Sequence, residues 1–314
     1  MAQPAGDAAY AREAIARGSR SFAAASRLLP PAVRDDVARL YAWCRHADDV
    51  IDGQVLGHGE SKVDDPAAKL VTLRESTDAV LEGRQIGDPV FDGFGAVARA
   101  HGITPRLAHD LLDGFALDVA GARYAGIDDL ARYCYGVAGS VGVMMALVIG
   151  VPRTDADTLD RACDLGLAFQ MTNIARDVVA DAQTGRIYLP TGWLAEVGLG
   201  ADPAAVAAPD NRAAVWQVAE RLVRAGDAYY RSAEVGVARL PFRAAWAIAS
   251  AGRVYRAIGL RRQRAGPAGL STRATTTGGE KARIIAAAAI GAARGERPGL
   301  AYDRTGLWQR PPRP

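Results

Sequence analysis

Cysteine and histidine are scarce in this chain of 314 residues, which has three cysteines and four histidines. Cys44, Cys134 and Cys163 are odd in number, widely spaced and without a Cys-x-x-Cys pair, which argues against a disulfide framework and against a zinc site. The histidines form neither a His-Glu-x-x-His motif nor an evident triad with a nucleophile. A reducing cytoplasm suits this composition best.

Long apolar runs and nucleotide-binding loops are also lacking. No uninterrupted apolar segment reaches the roughly 18–20 residues that cross a bilayer, and we interpret the nearest, residues 133–151, as a buried helix. Charged residues interrupt the apolar positions of residues 1–17, which argues against a signal peptide. The glycine patterns of Rossmann and Walker sites are absent, so a nucleotide cofactor has no support in the sequence.

Helical periodicity extends along almost the whole chain, and the alternating runs typical of strands are scarce. Hydrophobic residues make up 49% and charged residues 23%, as in soluble globular proteins. The pattern therefore predicts an all-α protein with one large helical domain over residues 1–297 and an irregular tail, rich in proline and arginine, over residues 298–314. The predicted helices span residues 7–17, 31–52, 65–82, 90–101, 105–117, 128–151, 155–182, 211–237, 241–264 and 279–294.

Charge is unevenly distributed between the two parts of the chain. Residues 241–314 contain 14 Lys or Arg and 3 Asp or Glu, a net charge of +11, whereas the whole chain carries +3. A basic segment of this kind can contact nucleic acid, an anionic membrane surface or a phosphorylated substrate, or it can be a solvated helix face.

One polar row stands out on the predicted helix 31–52. Its members recur at i, i+4, i+7, i+8 and i+11, on one helix face among apolar neighbours. We call it the first acidic row: Tyr41, Arg45, Asp48, Asp49 and Asp52.

A similar row follows on the predicted helix 155–182, at i, i+3, i+7 and i+11. We call it the second acidic row: Gln170, Asn173, Asp177 and Asp181. Carboxylates at helical spacing repel one another, more strongly in apolar surroundings, so each row requires cations beyond Arg45 and Arg176. Oxygen ligands without histidine select a hard cation, Mg²⁺ or Mn²⁺, and Mg²⁺ completes its shell with water and substrate phosphate.

The pattern thus favours a diphosphate held between two helices through metal ions. The plainer alternative is that these are exposed acid pairs, like Asp35 and Asp36 elsewhere in the chain.

Both rows resemble the signature segments of the squalene and phytoene synthase family. The resemblance rests on residues 41–52 (YAWCRHADDVID) and 173–181 (NIARDVVAD), and it extends to residues 19–22, 133–142 and 186–190. Residues 255–260 and 306–311 resemble in particular the bacterial phytoene synthases of that family.

The resemblance implies an all-α isoprenoid synthase fold with a central cavity. It also implies a prenyltransferase that joins two molecules of geranylgeranyl diphosphate head to head, through a cyclopropyl diphosphate intermediate, to give phytoene and diphosphate. This is the first committed step of carotenoid biosynthesis. Mg²⁺, or Mn²⁺, is the expected cofactor, and no NADPH is expected.

Roles for individual residues also follow from the resemblance. The expected metal ligands are Asp48, Asp52, Asn173, Asp177 and Asp181. The expected catalytic residues are Asp48, Asp52, Asp177, Asp181, Arg45 and Tyr41. The expected substrate-binding residues are Ser19, Arg20, Ser21, Phe22, Tyr41, Arg45, Gln170, Arg176 and Tyr255. Asp113 and Asp118 lie in a family-like segment and receive no role.

Two alternatives remain open at this point. One is a squalene or dehydrosqualene synthase that uses farnesyl diphosphate, because tunnel depth sets the chain length and the sequence does not reveal it. The other is a non-catalytic helical relative. Because substrate and product are lipophilic, we expect a cytoplasmic protein that associates with the inner face of the cell membrane through its basic region, and no nucleic-acid partner.

Overall fold

The computed structural model describes residues 11–17, 20–54, 63–271, 275–295 and 301–311, with only the backbone described for residues 20 and 21. Every regular element in these ranges is a helix, which confirms the all-α prediction. Residues 11–17 form α1. The other α-helices are α2 (Arg20–Ser26), α3 (Pro31–Asp52), α4 (Pro66–Leu81), α5 (Pro89–His101), α6 (Pro105–Val119), α7 (Ile127–Cys134), α8 (Ser140–Val148), α9 (Ala156–Gln183), α10 (Thr191–Glu196), α11 (Pro203–Ala207), α12 (Arg212–Ala238), α13 (Phe242–Ala265) and α14 (Gly278–Ala293).

Helix ends follow local sequence signals. Pro31 and Pro105 occupy first helical positions, where the missing N–H costs no hydrogen bond. The side chain of Asp88 caps α5 by accepting from the N–H groups of Val90 and Phe91. Gly102 ends α5 with a φ of 64°, a left-handed conformation that favours glycine.

A π-helical turn, Tyr135–Gly139, joins α7 to α8 without a break. A Cβ added to Gly136 would lie 2.8 Å from the Cα of Gly114, so α6 and this turn approach backbone to backbone. By length and composition alone the combined helix, Ile127–Val148, could cross a membrane, whereas the sequence predicts a buried helix here. Because 67% of its most apolar window is buried inside the protein, it occupies the place of a core helix.

The long helix α9 packs against α8, α12 and α13. Helix α3 is fixed to its neighbours by Trp43, whose ring stacks on Phe94 of α5 at a centroid distance of 3.8 Å. The indole N–H of Trp43 also donates to the hydroxyl of Thr77 in α4, at 3.3 Å. These contacts set the rotation of α3, and with it the direction in which its first acidic row faces.

The C-terminal residues 301–311 contain no helix and lie against the helical body. The guanidinium of Arg304 donates to both carboxylate oxygens of the buried Asp164 on α9, at 2.7 and 2.9 Å. The backbone N–H of Trp308 donates to the hydroxyl of Tyr229 on α12, at 3.2 Å. Polar contacts therefore connect the irregular C-terminal segment to two central helices.

Candidate active site

A cavity of about 1370 Å³ lies at the centre of the helical body. Its wall includes residues from α2, α3, α6, the π-helical turn, α8, α9, α12 and α13. The volume exceeds the about 300–1,000 Å³ of ordinary small-ligand sites, so the cavity has room for a long substrate. Helix α8 and its flanks contribute apolar wall residues, among them Val141, Met145 and Ile149.

The first acidic row reaches this cavity from α3. Tyr41, Arg45, Asp48 and Asp52 all line it. The guanidinium of Arg45 donates to Asp48 at 2.5 Å and lies 3.9 Å from Asp49. Asp52 forms an ion pair with Arg186 at 2.7 Å.

The second acidic row reaches the same cavity from α9, together with Arg176. The Nε of Arg176 donates to Asp177 at 2.8 Å, and a second guanidinium nitrogen donates to the other carboxylate oxygen. Asn173 donates to Gln170 at 3.4 Å. The structure therefore brings the two rows, more than 100 residues apart in sequence, to one cavity.

One carboxylate in each row, Asp48 and Asp181, has a raised pKa despite the cations around it. Burial raises the pKa of Asp48 to about 7, and the negative charges of Asp52 and Asp49 add to the shift although Arg45 opposes it. Burial and then the charge of Asp177 raise the pKa of Asp181 to about 7. Asp52 on the other helix contributes to the second shift as well, so the two rows act on each other across the cavity.

The donor set fits Mg²⁺. All candidate ligands are oxygen atoms, and the side-chain oxygen of Asn173 is buried without a hydrogen-bond partner in the structure. Within the described ranges, no three carboxylate, imidazole or thiol groups converge closely enough to enclose an ion. Mg²⁺ binds one or two carboxylates and takes its remaining ligands from water and phosphate.

Aromatic side chains also line the cavity. Phe22 lies 6.1 Å from Tyr41, 5.8 Å from Phe169 and 5.9 Å from Tyr255, measured between ring centroids. Phe169 and Tyr255 are 4.4 Å apart. The substrate-binding candidates Phe22, Tyr41 and Tyr255 therefore form one cluster with Phe169.

A hydrogen-bonded carboxylate, to which the sequence assigned no role, also faces the cavity. The hydroxyls of Tyr133 and Tyr188 donate to the two oxygens of Asp118, at 3.0 and 2.9 Å. Burial raises the pKa of Asp118 to about 6, although both hydroxyls and Arg186 lower it. The family-like segment around Asp118 was the signal that could have singled it out.

Further cations at the cavity were also missed by sequence reasoning. Arg186, Arg212, Arg262 and Lys281 line the cavity, and one guanidinium nitrogen of Arg212 is buried without a hydrogen-bond partner in the structure. Arg186 lies in the family-like segment 186–190, which identified the position without assigning it a role.

Three predicted substrate-binding side chains lie outside the part of the chain that the structure describes. Ser19 lies outside the described residues, and so do the side chains of Arg20 and Ser21. Every other predicted site residue lines the central cavity.

Comparison with known proteins finds a matching family and similar sequences. Residues 15–280 match the family model described as squalene/phytoene synthase. The chain is 50% identical to a 15-cis-phytoene synthase from Paracoccus sp. (strain N81106 / MBIC 01143) over 299 residues, which cover 95% of this chain and 96% of the relative. It is also 50% identical to a phytoene synthase from Pseudescherichia vulneris over 304 residues, which cover 96% of this chain and 97% of that one.

Solved structures show the same architecture. A dehydrosqualene synthase in complex with ligand superposes with a TM-score of 0.79 at 28% identity, covering 92% of this chain and 97% of the other. A squalene synthase from Alicyclobacillus acidocaldarius gives a TM-score of 0.72 at 22% identity, covering 83% and 95%. These likenesses confirm the predicted isoprenoid synthase fold.

Proposed function

The chain belongs to the squalene/phytoene synthase family, and we propose that it is a phytoene synthase. Two molecules of geranylgeranyl diphosphate condense head to head, through a cyclopropyl diphosphate intermediate, to the forty-carbon phytoene. The observation that carries the proposal is a single cavity that joins two acidic rows to a long apolar interior. The names of the relatives at 50% identity support the choice of product.

The polar end of the cavity suits the diphosphate groups. Arg45, Arg176 and Arg186 offer charge-assisted hydrogen bonds to phosphate oxygens, with Gln170 as a further polar partner. We assign Mg²⁺ to the ligands Asp48, Asp52, Asn173, Asp177 and Asp181. When bound, the metal neutralises charge that develops on the departing diphosphate.

The apolar part of the cavity suits the carbocations that follow departure of diphosphate. Water would quench such a cation, so the wall must exclude it. The cluster around Phe22 and Phe169 presents aromatic faces, which attract cations. The overall condensation releases two diphosphates and two protons and transfers no hydride, so the proposal includes no NADPH.

A second candidate function is the condensation of farnesyl diphosphate. The dehydrosqualene synthase superposed above favours it, because the two folds share one architecture at 28% identity. We test the choice by product analysis after incubating purified protein and Mg²⁺ with either diphosphate, with and without NADPH. Phytoene from the longer substrate supports the proposal, whereas a thirty-carbon product alone replaces it with the second candidate. Absence of product from both indicates a non-catalytic relative.

We further propose that the protein associates peripherally with anionic membrane at the cytoplasmic face. Helix α14 supports this, since Ile290 is 59% exposed, Arg283 on the same helix is exposed, and so is Arg294 directly after its last residue. Such a surface combines apolar contact with attraction to acidic lipids. Flotation with phosphatidylglycerol vesicles tests the proposal, with phosphatidylcholine vesicles as the control. Equal binding to both would exclude electrostatic attraction as the cause.

A further inference from the structure

A second, smaller cavity of about 130 Å³ lies where α12, α13 and the C-terminal end of α14 meet. Small residues from these three helices form about half of its wall, among them Ala238, Ala249, Gly252 and Ala292. The charged side chains of Glu234, Arg253 and Arg256 also line it.

Only one layer of side chains separates this cavity from the central one. Leu165, Ala233, Val237 and Ile248 line both cavities, and they come from α9, α12 and α13. A Cβ added to Gly252 would lie 3.5 Å from a methyl group of Leu165, so α13 leaves space beside that leucine. All four shared side chains are aliphatic and form no hydrogen bonds, so a change of rotamer at Leu165, Val237 or Ile248 can open the wall without breaking one.

The two ends of the central cavity differ in polarity. The acidic rows and arginines make one end polar, which suits a charged diphosphate. A hydrocarbon leaving by that end would displace water from charged groups, which is unfavourable. The shared wall is apolar, so its polarity matches that of a hydrocarbon.

We propose that the hydrocarbon product leaves through this wall, between α12 and α13, and emerges beside the C-terminal end of α14. The inference rests on the proposed function. It gives the substrate and the product separate routes, because the apolar wall shared by the two cavities rejects diphosphate. The exposed Ile290 on α14 places apolar surface on the helix that borders the outer cavity.

Two variants obstruct the passage from different helices. Ala249→Trp on α13 and Ala238→Trp on α12 add bulk at positions that line the second cavity and not the central one. Ala96→Trp is the control, because this alanine is exposed on α5, away from α14, and lines neither cavity. Circular dichroism and thermal melting establish that each variant is folded, and the two positions give independent tests.

The readout is release of product already formed. Enzyme in excess converts radiolabelled geranylgeranyl diphosphate in one turnover, and transfer of labelled product to phosphatidylcholine vesicles is then followed in time. We expect transfer at least about tenfold slower in both obstructed variants than in the control, equivalent to about 1.4 kcal/mol of added barrier. Diphosphate release in the single turnover should stay within about twofold of wild type.

Two results would overturn the route. Transfer as fast as in Ala96→Trp means that the product leaves elsewhere. An equal slowing of diphosphate release means that the second cavity belongs to the reaction chamber. If the wild-type chain forms no product, the proposed function fails and the route with it, whereas normal formation with unchanged release contradicts the route alone.

Discussion

Replacing Arg304 with alanine should destabilise the protein by leaving a buried charge without its partner. The side chain of Asp164 is 0% exposed and that of Arg304 is 11% exposed, so water cannot replace the lost contact. Removing one member of a buried ion pair costs about 3–5 kcal/mol. We expect about 3 kcal/mol, the lower end of that range, because the hydroxyl of Ser232 still donates to Asp164.

Thermal unfolding measures this loss. At about 2.1 cal/mol/K per residue, the unfolding entropy of 314 residues is about 0.66 kcal/mol/K, so about 3 kcal/mol lowers Tm by about 5 °C. Arg310→Ala is the matched control, because its partner Asp160 is 26% exposed and retains Arg304 as a second partner. The control should lose about 1 kcal/mol or less.

The loss of stability in Arg304→Ala should also depend on pH in a defined direction. Burial raises the pKa of Asp164 even with Arg304 present, and loss of the guanidinium raises that pKa further. The native state of the variant then binds this proton more tightly than its unfolded chain does, so acid stabilises it. Lowering the pH from about 8 to about 5 should therefore reduce the difference in Tm between variant and wild type. A Tm change below about 1 °C, or a Tm difference between variant and wild type that grows in acid, would refute the reasoning.

Three further predictions concern the cavity. Asp177→Asn should lower kcat about 100-fold or more while the circular dichroism spectrum stays unchanged, and near-normal turnover would contradict the metal assignment. Inorganic diphosphate with Mg²⁺ should raise Tm, and either alone should raise it less, because the acidic rows need the metal to accept an anion. A rise in Tm by diphosphate that is equally large in EDTA would contradict this. The raised pKa of Asp118, about 6, means that the native state holds its proton more tightly than the unfolded chain. Acidification from about pH 7 to about pH 5 should therefore stabilise wild type relative to Asp118→Asn, and a constant difference in Tm would contradict it.

The two acidic rows were predictable because each lies within one helix. A period of 3.6 residues puts positions i, i+4, i+7 and i+11 on one face whatever the tertiary structure. The long helices were predictable for the same reason. Helices α2, α10 and α11 were missed, since five to seven residues are too few for a periodic pattern.

The carboxylate Asp118 and its partners show what periodicity does not reveal. Asp118 lies on α6, Tyr133 on α7 and Tyr188 in the segment after α9, and only tertiary packing brings the three together. No spacing rule connects residues from three separate elements. Arg186 was missed for the same reason, because its partner Asp52 lies on α3.

The docking of the C-terminal segment is a second case. Its proline and arginine content indicated irregular structure, and residues 301–311 indeed contain no helix. No sequence pattern indicates that Arg304 pairs with Asp164, 140 residues away. Complementary charges distant in sequence are too numerous for composition alone to match them.

Central to this account is that both acidic rows serve one metal-dependent reaction. The most direct test is diphosphate release from geranylgeranyl diphosphate as Mg²⁺ is titrated, for wild type and for one variant from each row, Asp48→Asn and Asp181→Asn. We predict that EDTA abolishes release in wild type, that Mg²⁺ restores it, and that both variants stay inactive at Mg²⁺ levels that saturate wild type. Release that persists in EDTA, or full activity in either variant, would contradict the account.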